Sequence, residues 1–226
     1  MSPPPPVHVT TRSGNVRVRV DAAADALAVE GGTIEYRDDG TAHVRRAPSA
    51  STIEMRCAPG TDVTVGTASG KVELLGALGT VRVATVSGKI RIEEATRIDV
   101  RTKSGKIDIG ACAGECRIMT KSAAVHVTSA GSATVAAVSG IVALERVGGA
   151  EVKTISGKVL LALAPNAARV SVHTVSGRVE VRVPPDARPA TRLKSISGHI
   201  ECDCPPGHDG EIAVASISGA IRVSSF

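Results

Sequence analysis

Five cations stand two places after the serine of a Ser-Gly pair: Lys71, Lys89, Lys106, Lys158 and Arg178. If the chain segments that carry them stack on one another, like charges come about 5 Å apart along one edge. A row of that kind offers an edge to a polyanion such as nucleic acid or an anionic cell polymer. Two unit charges at that spacing in water repel by only about 1 kcal/mol or less. The row is therefore equally compatible with a solvated turn whose long side-chain stems cover apolar surface. It breaks at Ala124 and Ile141 and fades at His199 and Ala220. The aromatic side chains on which a single-strand binder stacks bases are missing from the repeat.

The remaining reactive residues form no comparable pattern. Cys112 and Cys116 make one close pair and Cys202 and Cys204 another. On the repeat spacing the pairs lie about five coils, roughly 24 Å, apart, too far to share a tetrahedral zinc site. Cys116 and Cys202 fall on inward apolar positions, where a free cysteine packs as a small hydrophobe. The histidines His8, His43, His126, His173, His199 and His208 are scattered over different repeats, so no metal or acid–base cluster is expected. The many serines sit in turns rather than in a nucleophile elbow. Outward charges alternate in sign along two rows, Arg82, Asp99 and Arg117 in one and Glu73, Arg91 and Asp108 in the other, which suits register-fixing pairs better than carboxylate catalysis.

The element that must position these residues is a repeat. Ser-Gly pairs occur at Ser69-Gly70, Ser87-Gly88, Ser104-Gly105, Ser139-Gly140, Ser156-Gly157, Ser176-Gly177, Ser197-Gly198 and Ser218-Gly219. Ser122-Ala123 holds the same place once, and successive serines are 17 to 21 residues apart. Positions six and four before the serine, and three and five after it, are apolar in most copies. Val81, Val83, Ile90 and Ile92 are one set and Ile98, Val100, Ile107 and Ile109 another. Each copy thus carries two short strands with period-two alternation, joined at the Ser-Gly turn. Two before the serine stands a small hydroxyl residue: Thr67, Thr85, Thr102, Thr120, Thr154, Thr174, Ser195 or Ser216. Ser-Gly is a poor match to the turns that tight hairpins prefer. Near-constant spacing favours vertical stacking in parallel sheets, the signature of a solenoid.

Composition agrees. One Tyr, one Phe and no Trp in 226 residues would starve a globular core but suit a thin one filled by Val, Ile and Leu. The balance of 27 basic and 22 acidic residues gives +5, which permits an anionic partner without requiring one. No apolar run reaches the roughly 18 residues of a membrane span, and the Pro-rich start is not a secretory signal. Five cysteines, an odd number, point to reduced thiols and a cytoplasmic location. No cofactor is expected.

The reading along the chain is a disordered Pro-rich tail over 1–6, a β-rich N-terminal cap over 7–60, and a solenoid array over 61–226. Within the cap, 7–20 looks like an early copy of the repeat, and 22–28 reads as a short Ala-rich helix or as the start of a strand. Ile34 and Tyr36, then Asp38-Asp39-Gly40, then His43 and Arg45 signal a hairpin. Late copies are longer, with Pro165-Asn166, Pro184-Pro185-Asp186 and Pro205-Pro206-Gly207 closing them, so the coils should widen there. The last copy, Ile217 to Val223, leaves an open sheet edge.

The run Cys57-Ala58-Pro59-Gly60-Thr61-Asp62-Val63-Thr64-Val65, followed by Thr67-Ala68-Ser69-Gly70-Lys71-Val72-Glu73-Leu74, resembles the bacterial β-strand-repeat family of putative adhesins, a domain of unknown function. The repeated Thr-x-Ser-Gly units and the late Pro-containing turns share the resemblance, which covers about 7–226. It implies a β-solenoid and no established enzymatic activity. The place after Ser-Gly is commonly acidic in that family and is Lys71, Lys89, Lys106, Lys158 or Arg178 here.

The expectation is therefore an all-β, single-domain β-solenoid of about nine coils with 17–21 residues each, plus an N-terminal β cap. Its expected role is a non-catalytic adhesin-like interaction or scaffold protein. Alternatives are a head-to-tail polymer of the bactofilin kind, self-associating through the C-terminal coil, and a polyanion-binding module using the cation row. A polysaccharide-cleaving β-helix enzyme would want wider coils, long loops and aromatics for stacking sugars. The partner class is a protein or an anionic polymer, with no membrane span.

Overall fold

The computed structural model describes residues 4–22, 27–165 and 167–226. Residues 1–3 of the Pro-rich tail, 23–26 of the Ala-rich segment and Asn166 of the first late turn lie outside the described residues. Among the described residues every regular element is a β-strand. The chain divides into two compact units, Met1–Ala113 and Gly114–Phe226, and each is described by itself.

In the first unit, β1 (Val7–Thr11) and β2 (Asn15–Val20) form one two-strand coil. A second coil is built from β5 (Ala42–Arg46) and β6 (Thr52–Cys57). β7 (Val63–Ser69) opens the regular array, which continues through the unbroken β8 (Val72–Val147). The stacking order is not the chain order. β1 lies between β5 and β7, parallel to both, with Val7 level with Ala42 on one side and Val63 on the other. β2 likewise lies between β6 and β8. The coil at 42–57 is thus outermost. Two antiparallel strands cover it: β3 (Ala28–Glu30) on β6, and β4 (Gly32–Tyr36) on β5. The expected hairpin is present, with Tyr36 opposite Ala42. Pro6 is tied into the same region, its carbonyl accepting from the Ala42 amide at 2.9 Å.

In the second unit, the last part of β8 pairs with β9 (Gly149–Leu163), and β9 with β10 (Arg169–Val183), residue for residue from Arg169↔Gly149 to Arg182↔Ala162. Here too the order departs from the chain. β13 (Glu211–Ser216) lies between β10 and β11 (Ala190–Ser195), and β14 (Ile221–Ser225) between β10 and β12 (Ile200–Cys202). This corrects the expectation that Ile217 to Val223 would leave the open edge. Ile221 and Val223 are buried within the stack, and the coil carrying β11 and β12 is outermost. Among the described residues no strand covers its far side.

The core follows the period-two reading. Val63, Val65, Val72 and Leu74, Val81, Val83, Ile90 and Ile92, and the matching residues of neighbouring coils are all buried. Each such side chain contributes about 1.5–3 kcal/mol by leaving water. The vertical stack also explains why glycine follows serine. Gly70, Gly88 and Gly105 in the first unit, and Gly140, Gly157 and Gly177 in the second, have φ between 125° and 158°. A β-carbon on any of them would collide with the backbone carbonyl of the residue below: Gly14 for Gly70, Gly70 for Gly88, Gly140 for Gly157. Only glycine combines that dihedral with that approach.

Candidate functional site

The Ser-Gly edge is where the sequence concentrates charge, and its geometry starts from the turn. In the first unit the buried Thr67, Thr85 and Thr102 hydroxyls donate to the carbonyls of Ser69, Ser87 and Ser104 at 3.0, 3.2 and 2.9 Å. Thr11 does the same to Ser13 at 2.7 Å, and in the second unit Thr154 to Ser156 at 3.2 Å. The hydroxyl two places before serine is a clasp that holds the turn. At the two serine versions the clasp reverses: Ser195 and Ser216 accept from the amides of Gly198 and Gly219 at 2.9 and 2.8 Å. The Thr120 and Thr174 hydroxyls are buried without a hydrogen-bond partner among the described residues, the first in the copy with Ala123 in place of glycine and the second in a copy that keeps Gly177.

This clasp sets the direction of the residue two after serine, so the five expected cations do stand on their turn edges, each roughly half exposed. Each also meets a carboxylate set four places after a serine, and each carboxylate serves two cations. Glu73 takes Lys71 at 2.6 Å and Arg17 at 3.0 Å. Asp108 takes Lys106 at 3.3 Å and Lys89 at 4.0 Å. In the second unit Glu180 takes Lys158 at 3.3 Å and Arg178 at 4.0 Å. The Lys71 hydrogen bond holds the Glu73 carboxyl below its ordinary value, and Arg17 adds to that effect. Solvent-facing pairs of this kind contribute about 0–1 kcal/mol each. Their clearer effect is to halve the charge an approaching polyanion would meet. The Asp99 row is paired along its own strand, Arg101 reaching Asp99 at 3.5 Å.

The other reactive residues fall as follows. Cys57, Cys112 and Cys116 are buried, and burial pushes the Cys57 thiol up. Cys202 is exposed, which corrects its expected burial: it is level with the buried Val223, on an inward position, but its coil is the outermost one. Cys204 beside it is half-buried, its thiol raised by burial and by Cys202 and Asp203. The histidines are not all scattered. His8 and His43 are level on β1 and β5, their ring centroids 4.9 Å apart. Burial and then the neighbouring His43 and Arg37 lower the His8 pKa. Spacing hid this pair, because β5 returns beneath β1 after a connection without repeat pattern. Among the described residues no three His, Cys, Asp or Glu side chains gather as a metal site would need.

Two surfaces of the second unit were not foreseen. The inward positions of the outermost coil lie open: Leu193 is half-buried, Ile200 is 39 % exposed and Cys202 is exposed. The widened late coils also enclose a groove of about 610 Å³, with Leu163, Val183 and Ile212 at its base and Pro165, Pro184 and Pro189 along its sides. The Pro-rich turns signalled the widening, but the groove itself depends on the altered coil order. No helix among the described residues is long and apolar enough to cross a membrane, which says nothing of β-barrels.

A family model described as Toastrack DUF4097 matches residues 6–212. A solved structure of a putative adhesin from Bacteroides fragilis NCTC 9343 is similar at 10 % identity, with a TM-score of 0.50, over 98 % of this chain and 92 % of that one. A putative cell adhesion protein from Clostridium sporogenes ATCC 15579 aligns at 10 % identity with a TM-score of 0.23, over 100 % and 94 % of the two chains. At 10 % identity the likeness to the Bacteroides structure speaks for the fold alone. No curated protein matches.

Proposed function

We propose that this chain, which belongs to the Toastrack DUF4097 family, is a non-catalytic, adhesin-like interaction module that engages a protein partner through its second unit. The observation that carries this reading is the uncovered coil at 190–202. Among the described residues its backbone edge has no strand beyond it, and Leu193, Ile200 and Cys202 turn inward with that flank uncovered. A sheet edge of this kind offers main-chain hydrogen bonds and apolar contact together, which is how strand addition binds an extended segment. In the first unit β3 and β4 occupy the corresponding place and serve as a cap. A head-to-tail polymer would use the same open edge and is the second reading. The polyanion reading draws less support, because Glu73, Asp108 and Glu180 already neutralise part of the cation row.

The test is photo-cross-linking in the native cell, with a photoreactive residue at Leu193 or Ile200 and a control at Glu54. Discrete adducts at the two edge positions and none at the control support the module. Equal, diffuse labelling at all three positions would reject it.

A further inference from the structure

One column of the repeat remains without a role. The residue just before the serine faces out, because the threonine or serine before it faces in. In the second unit that column opens with the exposed Lys121, before Ser122, and then reads, in stacking order, Val138, Ile155, Val175, Ile217 and Ile196. The last five are β-branched, and their exposure runs from 41 % to 81 %. In the first unit the same column reads Arg12, Ala68, Val86 and Lys103, with a charge at either end. An outward column on a soluble sheet is ordinarily polar. Weighted by exposure, the five side chains present roughly 500 Å² of aliphatic surface, at the upper end of what a monomer's largest patch shows and of the size that marks interaction sites.

The neighbouring columns on the same face indicate the occupant. Two residues further back along each strand, in the same stacking order, stand Ala136, Lys153, His173, Ala215 and Lys194. Turned end over end, this list sets Ala136 against Lys194, Lys153 against Ala215, and His173 against itself. A small residue meets each long cation, and no two lysines meet. The next column behaves likewise: Thr134 against Arg192, Glu151 against Ala213, and Ser171 against itself. The aliphatic column itself then pairs Val138 with Ile196, Ile155 with Ile217, and Val175 with its own copy. A surface that complements its own reversal fits an isologous two-fold contact.

We infer that this outer face of the second unit docks on the same face of a second copy, related by a two-fold axis through Val175. The inference rests on the interaction-module reading and names a different surface and a specific partner for it. With the aliphatic column paired and the flanking columns partly covered, about 1,000 Å² or more is buried in total, the lower bound for a specific contact. The dimer is accordingly expected to form at micromolar concentration and to stop at two copies, since a two-fold contact closes on itself.

Sedimentation velocity from low to high micromolar concentration tests this on the full chain. The expected result is a monomer–dimer equilibrium with no larger species. Val175→Glu, which sets two carboxylates against each other at the axis, should weaken the dimer at least tenfold. Val175→Lys should do the same alone, and mixing the Glu and Lys variants should restore a dimer, which a merely misfolded variant could not do. Ile200→Lys, on the edge, should leave the dimer intact. Monomer at every concentration, a dimer indifferent to both Val175 variants, or open-ended growth blocked by Ile200→Lys would each overturn the proposal. Monomer together with cross-links at Leu193 would overturn the face contact alone and leave the module reading standing.

Discussion

The outermost coils of the two units share a sequence logic and meet opposite fates. Coil 42–57 of the first unit and coil 190–202 of the second each lie beyond a coil that arrives out of chain order. Both point alternate residues inward. Ile53 and Met55 are fully buried, because β3 and β4 lie over their coil. Ile200 and Cys202 hold equivalent inward places and remain open to solvent. Inward geometry therefore does not make a core residue; a neighbour on both sides does. The outer strands of the first unit also carry Glu30 and Glu35, charges that discourage further pairing.

This contrast can be broken at its strongest point by truncating each coil. Met55→Ala should cost about 2–4 kcal/mol in urea unfolding, as large-to-small changes in a closed core do. Ile200→Ala should cost about 1–1.5 kcal/mol, clearly less than Met55→Ala, since Ile200 keeps 39 % of its surface in water and its open flank leaves no closed cavity. Equal costs would mean that the outer coil of the second unit is covered in solution. Thiol labelling sharpens the same point: Cys202 should react with a maleimide roughly 100-fold faster than Cys57, whose modification waits on local opening. The smallest effect is on pH dependence. The His8 pKa is lowered from 6.5 by burial and by His43 and Arg37. The folded state therefore binds its proton less readily than the unfolded chain, and stability from this group is full above the ordinary histidine range. It should fall as pH drops from about 6.5 toward the depressed value. His43→Val removes one of the three causes and should flatten that decline in a urea titration across pH 7 to 5.

Much of this was legible in the sequence, for a definite reason. Glycines at 70, 88 and 105 are forced by a carbonyl one coil away, so their spacing reports vertical stacking directly. The alternation of Val81, Val83, Ile90 and Ile92 likewise reports the inward face. The coil order at the ends was not legible. Periodicity places a copy beside its sequence neighbours, whereas β1 slides between β5 and β7, and β13 between β10 and β11. The connections that make this possible, across 21–41 and 203–210, carry no repeat. Hence His8 met His43 unforeseen, and Cys202 was placed in a core it does not enter. Of the candidate site, the cations stood where expected, and the pairs Lys71–Glu73, Lys106–Asp108 and Arg178–Glu180 lie two residues apart along the chain; only the second cation of each carboxylate, Arg17, Lys89 or Lys158, depends on which coil lies alongside. The aliphatic column at Val138, Ile155, Val175, Ile196 and Ile217 is present in the sequence at the place just before the serine, outside the inward alternation that marks the core.

The interleaved order has a consequence for the newborn chain. During synthesis β11 and β12 leave the ribosome before β13 and β14, yet they rest on them. Coil 190–202 takes its final place only after the later residues have docked against β10. Folding of this end therefore cannot be completed strictly in the order of synthesis. A chain whose translation stopped after Cys202 would lack the two strands on which β11 and β12 rest. The later-made strands thus act as a keystone.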